Sequence, residues 1–459
     1  MLRPACLLIA ALCVTTGHLC ADDLPNIVII VADDLGWADV EYHGSPIATP
    51  NIDRLAAEGV RLENFHVAPL CSPTRAGLMT GRWPIRYGMG ESVITPWRKW
   101  GLSLQEETLA DMLSRAGYEQ RAAVGKWHLG HFRKAYLPQS RGFTSFYGHY
   151  NGAFEYFTHK REGELDWHRN EKTSDDKGYS TDLIGDEAVR VIQRSKNKPF
   201  FLYVPFNAPH DPMQAKAQDL EKYADNGRDR QAYCAMVDCM DQAIGRILKA
   251  LKDAKVEDDT FVLFFSDNGG ITQWADNSPL RAGKGTVYEG GIRTPAIVRW
   301  PNVLQGGRVF QELTGYIDVF PTLMQVAGYS GKTANPLDGI GILDALRDGT
   351  KLPVRSWFSY IAQGKPDRMS VIRGGWKLVA NNGSVLDFGA KRQRPELELF
   401  QIARDPAELN NVADENPVVI RDLYLQLREH RELKIDGIPD FLDGRDGFKA
   451  PKDWRITQE

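Results

Sequence analysis

The sequence is poor in cysteine and lacks a hydrophobic run long enough to cross a membrane. Six of its 459 residues are cysteine, and three of these fall within residues 1–21. A scaffold built on disulfides is therefore excluded. The apolar run at residues 5–14 is shorter than the roughly 20 residues that a membrane-spanning helix needs. Cys234 and Cys239 lie on different faces of a predicted helix and would pair only with distortion.

The chain also lacks a strong excess of either charge. The formal net charge is −4, with 25% charged and 42% hydrophobic residues, as in an ordinary globular protein with a sizeable core. This balance argues against a partner that is a nucleic acid and against a polybasic membrane surface. An anionic ligand must therefore be held by cations that are placed locally in a site.

The first residues have the pattern of a secretory signal. Arg3 precedes the apolar run, and small Ala21 stands before Asp22 at a plausible cleavage point. We therefore predict a signal peptide at residues 1–21, no transmembrane span, and an exported protein that is periplasmic or secreted. A lipoprotein anchor on Cys20 is a weak alternative, because the three residues before it match a lipobox poorly.

Short apolar runs alternate with helical patterns through most of the chain. This alternation predicts an α/β fold with a large, mostly parallel sheet flanked by helices. The predicted strands are 26–31, 120–124, 200–205, 261–265 and 296–300, and the predicted helices are 51–58, 104–116, 181–194 and 229–251. After about residue 350 the pattern changes to antiparallel strands at 357–361, 369–372, 376–380 and 398–400, then a helix at 418–430. We predict a large domain at 22–350 and a smaller C-terminal α+β subdomain, with an antiparallel sheet, at 351–459.

Acidic and amide side chains follow two of the predicted strands. Asp33 and Asp34 come directly after the first strand, and Asp267 and Asn268 follow the strand at 261–265. Functional groups collect at the carboxyl ends of parallel strands. Three carboxylates and an amide oxygen, without a thiolate, suit Ca²⁺. The alternative is that these residues cap helices or fill turns.

Basic side chains stand at other strand exits. Lys126 and His128 follow the strand at 120–124, and His210 follows the strand at 200–205. Lys284 lies between two glycines. Each alone is more typical of a solvated loop. Together they indicate a site for an anion.

The segment Cys71-Ser72-Pro73-Thr74-Arg75, which continues to Thr80-Gly81-Arg82, is the most specific motif. It resembles the sulfatase signature, although a buried cysteine ahead of a helix would also fit. The strand-end segments described above occur in the order found in type I sulfatases, over nearly the whole chain after the leader. The chain is thus identified as a member of that formylglycine-dependent family, with an alkaline-phosphatase-like fold. Its finer similarity is to arylsulfatase B, an N-acetylgalactosamine-4-sulfatase, and it is carried by the segments 136–143, 150–153, 156–159, 179–182 and 279–291.

The resemblance implies a role for each motif residue. A formylglycine-generating enzyme converts Cys71 to formylglycine, whose hydrate attacks sulfur. One Ca²⁺ ion is held by an oxygen of residue 71 and by four further ligands, Asp33, Asp34, Asp267 and Asn268. Arg75 holds the hydrate, and Lys126 and Lys284 bind sulfate oxygens. His210 protonates the departing oxygen, and His128 takes the proton of the second hydroxyl, which expels sulfate.

The loop at 143–178 is rich in aromatic and basic residues, and we predict that it lines a sugar pocket. The residues proposed to contact substrate are Tyr150, Tyr156, His159, Arg161 and Trp167, with Trp97, Arg98 and Trp274 as weaker ones. The alternative is a structural loop.

The predicted activity is removal of sulfate from a sulfated carbohydrate, at a 4-O-sulfated N-acetylgalactosamine or galactose unit. The alternatives are a phosphodiester or phosphonate monoester hydrolase of the same fold, and a non-catalytic carbohydrate-binding relative.

Overall fold

A computed structural model describes residues 24–364, 366–386, 394–435, 438 and 441–459. The predicted signal peptide lies outside these residues. Within the described part of the chain, no helix combines the length and the apolar character needed to span a membrane.

The described chain contains strands that form one large sheet and three smaller ones. The strands are β1 (Asn26–Ala32), β2 (Val60–Leu62), β3 (Phe65–His66), β4 (Gln120–Lys126), β5 (Ser145–His149), β6 (Lys160–Arg161), β7 (Glu164–Leu165), β8 (His168–Arg169), β9 (Lys172–Thr173), β10 (Phe200–Pro205), β11 (Thr260–Ser266), β12 (Ala296–Arg299), β13 (Arg308–Phe310), β14 (Thr314–Gly315), β15 (Trp357–Ile361), β16 (Arg368–Arg373), β17 (Trp376–Asn381) and β18 (Glu396–Phe400). The helices are α1 (Pro50–Glu58), α2 (Cys71–Thr80), α3 (Leu109–Arg115), α4 (Ser180–Ser195), α5 (Ala217–Glu221), α6 (Arg228–Asp253), α7 (Glu289–Ile292), α8 (Val319–Val326), α9 (Leu343–Asp348) and α10 (Pro417–Glu432).

The large sheet has ten strands in the order β13-β2-β12-β11-β1-β10-β4-β5-β8-β9. Its centre, from β11 through β1, β10 and β4 to β5, is parallel throughout. Antiparallel strands flank this centre, with β12 on one side and β8 and β9 on the other. The predicted mostly parallel α/β sheet is therefore confirmed.

Strand β1 shows why the sheet carries helices on both faces. All seven of its residues are buried. Because side chains alternate along a strand, Ile27, Ile29 and Val31 join one apolar cluster while Val28 and Ile30 join another. The first cluster contains residues of α2, α3 and α8, and the second contains residues of α1, α4 and α6. Each face is thus covered by its own helical layer.

Two sequence-based predictions need correction. The helix predicted at 104–116 begins only at Leu109, because Thr108 and Asp111 form a capping box that fixes the first turn there. The predicted loop at 143–178 contains β5, β8 and β9, which extend the large sheet. These strands are short and lack the apolar run that marks β1, so hydrophobic patterning missed them. Cys234 and Cys239 are buried, unpaired thiols in α6.

The C-terminal part contains a separate antiparallel sheet in the order β15-β16-β17-β18, as predicted. The proposed domain division at residue 350 falls between α9 and β15, and it stays a prediction. A fully buried set of charges joins this sheet to the large part of the chain. Lys377 of β17 lies 2.8 Å from Glu289 of α7 and 2.8 Å from Glu408.

Candidate active site

The predicted site residues come together at the carboxyl edge of the parallel strands. Asp33 and Asp34 follow β1, and Lys126 ends β4. Asp267 follows β11, and His210 lies in the turn after β10. Because these strands are parallel neighbours, their last residues meet at one edge of the sheet. Ligand atoms of Asp33, Cys71 and Asp267 all lie within 4.8 Å of one another, as do those of Asp33, Asp34 and His210.

Cys71 is the first residue of α2. Leu70 before it is extended, and all ten residues of the helix are buried. The first backbone N–H groups of a helix favour an anion at this place. The Cys71 Sγ atom lies 3.3 Å from His128 Nδ1. Burial raises the pKa of the Cys71 thiol, so the unmodified side chain is not an activated thiolate.

The hydrogen bonds of His128 define which nitrogen faces residue 71. Its Nε2 atom lies 2.9 Å from the carbonyl oxygen of Ile94. Because a carbonyl can only accept, Nε2 carries the proton and Nδ1 presents a lone pair to Cys71. Burial and the nearby Lys126 hold the pKa of His128 well below its usual range. His128 has φ 56°, a left-handed conformation that is uncommon for a side-chain-bearing residue and often marks a functional site.

Arg75 and Lys126 neutralise two buried carboxylates. Arg75 NH2 lies 2.8 Å from Asp267 Oδ2, and Arg75 NH1 donates to the carbonyl oxygen of Lys126 at 3.0 Å. Lys126 Nζ donates to Asp33. Burial and repulsion by Asp33 raise the pKa of Asp267 to about 6. Arg75 thus forms an ion pair with Asp267 and lies one turn of α2 away from Cys71.

Lys284 and His210 converge on Asp34. Lys284 Nζ lies 2.6 Å from Asp34 Oδ1, and His210 Nε2 lies 3.7 Å from Asp34 Oδ2. Burial alone would raise the pKa of Asp34, but Lys284 and His210 outweigh it and hold the pKa at about 2. His210 Nδ1 donates to the carbonyl oxygen of Asp211 at 2.7 Å, which leaves Nε2 as the nitrogen that faces the site.

The acidic and amide residues fit a hard cation. Three buried oxygens, Asp33 Oδ1, Asp267 Oδ1 and Asn268 Oδ1, have no hydrogen-bond partner within the described chain. Buried acceptors are normally paired, so three unpaired oxygens in one place indicate a cation site. An all-oxygen donor set is what Ca²⁺ prefers. These residues, with Asp34, could therefore hold a metal ion.

The predicted substrate residues lie mostly in the interior, which corrects their proposed role. The Tyr150 ring stacks on His168 with centroids 4.0 Å apart, and the His159 ring stacks on Trp167 at 4.7 Å. Tyr150, Tyr156, His159 and Trp167 are all buried, so they offer no face to a sugar. Tyr156 instead donates through its hydroxyl to the carbonyl oxygen of His210 at 2.7 Å. Tyr156 therefore stabilises the backbone of the site residue His210.

The other residues that were predicted to contact substrate are also buried or half-buried. Arg161 is half-buried, and its guanidinium lies 3.5 Å from Glu162. Arg98 is buried against Trp100, whereas Trp97 donates to the carbonyl oxygen of Phe441 at 3.1 Å. Trp274 is half-buried. Of the five main residues proposed to contact substrate, Arg161 keeps the most accessible side chain.

A buried carboxylate that sequence reasoning missed organises the backbone behind His128. Asp166 accepts hydrogen bonds from the backbone N–H groups of Tyr150 and Asn151 at 3.0 and 2.9 Å. The Tyr150 carbonyl in turn accepts from the backbone N–H of His128 at 3.1 Å. Asp166 belongs to no recognisable motif, and two further acids, Glu162 and Glu164, stand close to it in the sequence. Only its contacts reveal its function.

Gly152 gives a direct test of how tightly His128 is held. A Cβ atom at this position would overlap the imidazole ring of His128. We expect Gly152→Ala to push the ring away from residue 71 and, given the proton-accepting role that the resemblance implies for His128, to lower kcat by roughly 10²-fold, since small misplacements of a catalytic group cost that much. Steady-state kinetics on an aryl sulfate measures this. Gly227→Ala is the control, because a Cβ atom there meets open space. Unchanged kcat in Gly152→Ala would contradict the placement of His128.

Comparison with known proteins identifies the class of enzyme. The sulfatase family model matches residues 25–329. A second model, described as N-sulphoglucosamine sulphohydrolase, C-terminal, matches residues 282–433. The chain belongs to the sulfatase family, and it is a sulfatase, a sulfuric ester hydrolase. The predictions of the family, the enzyme class and the fold are confirmed.

Individual relatives cover most of the chain. Arylsulfatase J of Mus musculus is 33% identical over 457 residues, which span 90% of this chain and 76% of that protein. N-acetylgalactosamine-6-sulfatase of Canis lupus familiaris is 32% identical and spans 92% of this chain and 89% of that protein. The solved structure of Ps i-CgsB in complex with k-i-k-neocarrahexaose is similar with a TM-score of 0.84 and 31% identity, over 92% of this chain and 96% of that one. The finer predicted similarity to arylsulfatase B is not confirmed.

Proposed function

We propose that this sulfatase removes sulfate from a sulfated carbohydrate, at a 4-O-sulfated N-acetylgalactosamine or galactose unit, with residue 71 as formylglycine. The observation that carries the chemistry is the convergence of cations and imidazoles on residue 71. His128 lies 3.3 Å from the Cys71 sulfur, and Lys126, Lys284 and His210 all contact the carboxylates beside it.

Two groups supplied by maturation and binding complete this site. Formylglycine at residue 71 supplies, as its hydrate, an oxygen nucleophile and a second hydroxyl. Ca²⁺, our proposed ion, supplies positive charge beside the sulfate. The residues that would hold it are Asp33, Asp34, Asp267 and Asn268, three of which contribute the unpaired buried oxygens.

The chain's own cations bind the sulfate group. Lys126 and Lys284 reach the site from opposite parts of the sequence, and each places its ammonium on a carboxylate at the sheet edge. In this buried setting each ammonium group, held by its carboxylate, is placed to bind oxygens of a sulfate that enters the site. Arg75 keeps Asp267 oriented through their ion pair.

The two imidazoles divide the proton transfers. His128 presents the Nδ1 lone pair to residue 71, so it is placed to take a proton there. His210 presents Nε2 on the other side, beside Asp34, and in its doubly protonated form it is placed to give the Nε2 proton to the departing sugar oxygen. Tyr156 fixes the His210 carbonyl and thereby the turn that carries this ring.

The sugar part of the proposal rests on the segments that resemble arylsulfatase B and on the relatives. One similar structure holds an oligosaccharide, k-i-k-neocarrahexaose. Other relatives are named for N-acetylgalactosamine 6-sulfate, so the position of the sulfate is the point to test.

A panel of defined saccharides tests the proposal. We expect free sulfate, measured by ion chromatography, to appear faster from 4-sulfated galactose and N-acetylgalactosamine units than from the 6-sulfated ones. Peptide mass analysis would first verify that residue 71 is the aldehyde, which is lighter than the thiol. Sulfate release from 6-sulfated sugars alone would refute the 4-position. No release from any saccharide by the aldehyde form, with turnover of an aryl sulfate, would refute the carbohydrate substrate.

A further inference from the structure

The loop that carries Lys284 is held between the active site and the C-terminal sheet. We define the Lys284 loop as residues 281–288. On its inner side, the backbone N–H of Lys284 donates to the carbonyl oxygen of Gly270 at 3.1 Å. The N–H of Gly285 donates to the carbonyl oxygen of Pro69 at 2.9 Å, just before Cys71. These two bonds tie the loop to the segments that carry Asn268 and Cys71.

On the outer side of the loop, one carboxylate of the C-terminal sheet binds both ends of the loop. Glu398 of β18 accepts from Arg281 NH1 at 3.0 Å and from the hydroxyl of Tyr288. Arg281 and Tyr288 are the first and last residues of the Lys284 loop. The Arg281 guanidinium also lies over the Tyr288 ring, 4.0 Å from its centroid. Glu398 thus closes the loop by joining its two ends.

Further contacts from the same sheet hold the middle and the exit of the loop. Arg368 NH1 of β16 donates to the carbonyl oxygen of Gly285 at 2.8 Å, one residue after Lys284. Asn381 of β17 donates to the Tyr288 hydroxyl at 2.9 Å. Beyond the loop, Glu289 is anchored by Lys377 at 2.8 Å. Three neighbouring strands of the C-terminal sheet, β16, β17 and β18, therefore all bind the Lys284 loop.

We propose that the C-terminal sheet fixes the position of Lys284, with Glu398 as the main positioning residue and Arg368 as a second one. This inference rests on the proposed role of Lys284 in binding sulfate. Lys284 has a flexible four-carbon side chain, so its ammonium is placed only as well as its backbone is. A carboxylate that joins both ends of the loop reduces the freedom of that backbone. The small sheet then contributes to sulfate binding without touching the sulfate.

The test compares Glu398→Ala with a matched control on the same strand. We expect Glu398→Ala to lower kcat on an aryl sulfate by about tenfold, because the ammonium is misplaced. It should also weaken inhibition by inorganic sulfate. Glu398→Gln keeps one acceptor oxygen and should fall between wild type and Glu398→Ala. Glu396→Ala removes a carboxylate two residues away that bonds only Asn382 among the described contacts, and should leave kcat unchanged.

A double-mutant cycle shows whether Glu398 acts through Lys284. If it does, Glu398→Ala lowers kcat in the wild type but not further in the Lys284→Ala background. If the two substitutions lower kcat independently, so that their factors multiply in the double variant, the inference is wrong and Glu398 has a general structural role. A wild-type kcat in Glu398→Ala would also overturn it. If Glu398→Ala does not fold, the same cycle with Arg368→Gln shows whether the C-terminal sheet acts on kcat through Lys284. If Lys284→Ala itself keeps full activity, the proposed role of Lys284 is wrong, which is a different result.

Discussion

Replacing Cys71 by serine is expected to abolish turnover while the protein stays folded. Serine is close in size to cysteine, and residue 71 is buried at the start of α2, so the fold should tolerate the change. A serine side chain, however, has one hydroxyl. Sulfate transferred to it would form a stable ester, because no second hydroxyl exists for His128 to deprotonate. We expect kcat on 4-nitrophenyl sulfate to fall below detection, a loss of at least about 10⁴-fold.

The matched control for this change is Cys234→Ser. Cys234 is another buried, unpaired thiol, but it lies in α6 among the apolar residues on the other side of the sheet. Its replacement should leave kcat unchanged. Thermal unfolding of both variants separates loss of chemistry from loss of fold. Ordinary turnover by a folded Cys71→Ser enzyme would rule out the proposed nucleophile.

Replacing His210 by alanine is expected to affect sugar sulfates far more than activated phenyl sulfates. A sugar alkoxide is a poor leaving group and needs the proton that the His210 imidazolium is placed to give from Nε2. A nitrophenolate leaves readily without one. We expect kcat on a sulfated sugar to fall by roughly 10²–10⁴-fold, the usual range for a general acid. The loss on 4-nitrophenyl sulfate should be much smaller.

The comparison of the two substrates is the decisive measurement for His210. Equal losses on both would show that His210 serves binding or folding and is not the general acid. His43→Ala is a suitable control, because His43 is hydrogen-bonded to the carbonyl oxygen of Trp37 at 2.8 Å and contacts none of the site residues. Both rates should stay at the wild-type level in that variant.

The parts that the sequence made predictable are those with strong local signals. Strand β1 is a continuous apolar run, and the run ends directly at Asp33 and Asp34. The same pattern marks β10 and β11. Because parallel strands end at one edge, these runs also placed the acidic and basic residues of the site together. The motif that begins at Cys71 then indicated the chemistry.

The parts that could not be predicted depend on contacts distant in sequence. Tyr150 and Trp167 were predicted to bind a sugar, because the local sequence of a polar loop does not distinguish a buried aromatic residue from an exposed one. Their burial follows from β5 and β8, whose short strands give little periodicity. Asp166 and Glu398 belong to no motif. Asp166 accepts from backbone N–H groups 16 and 15 residues earlier, and Glu398 accepts from side chains 117 and 110 residues earlier, contacts that no local pattern encodes.

The burial of α2 limits when another protein could reach the Cys71 side chain. Every residue from Cys71 to Thr80 is enclosed, and the Cys71 side chain is only 2% exposed. A second enzyme cannot bring its own catalytic groups to a sulfur atom that is packed in this way. The formylglycine that we propose at residue 71 would therefore have to form while the polypeptide is still unfolded, before α2 packs onto the sheet. On this proposal, a molecule that folds first is expected to keep its thiol and to lack sulfatase activity.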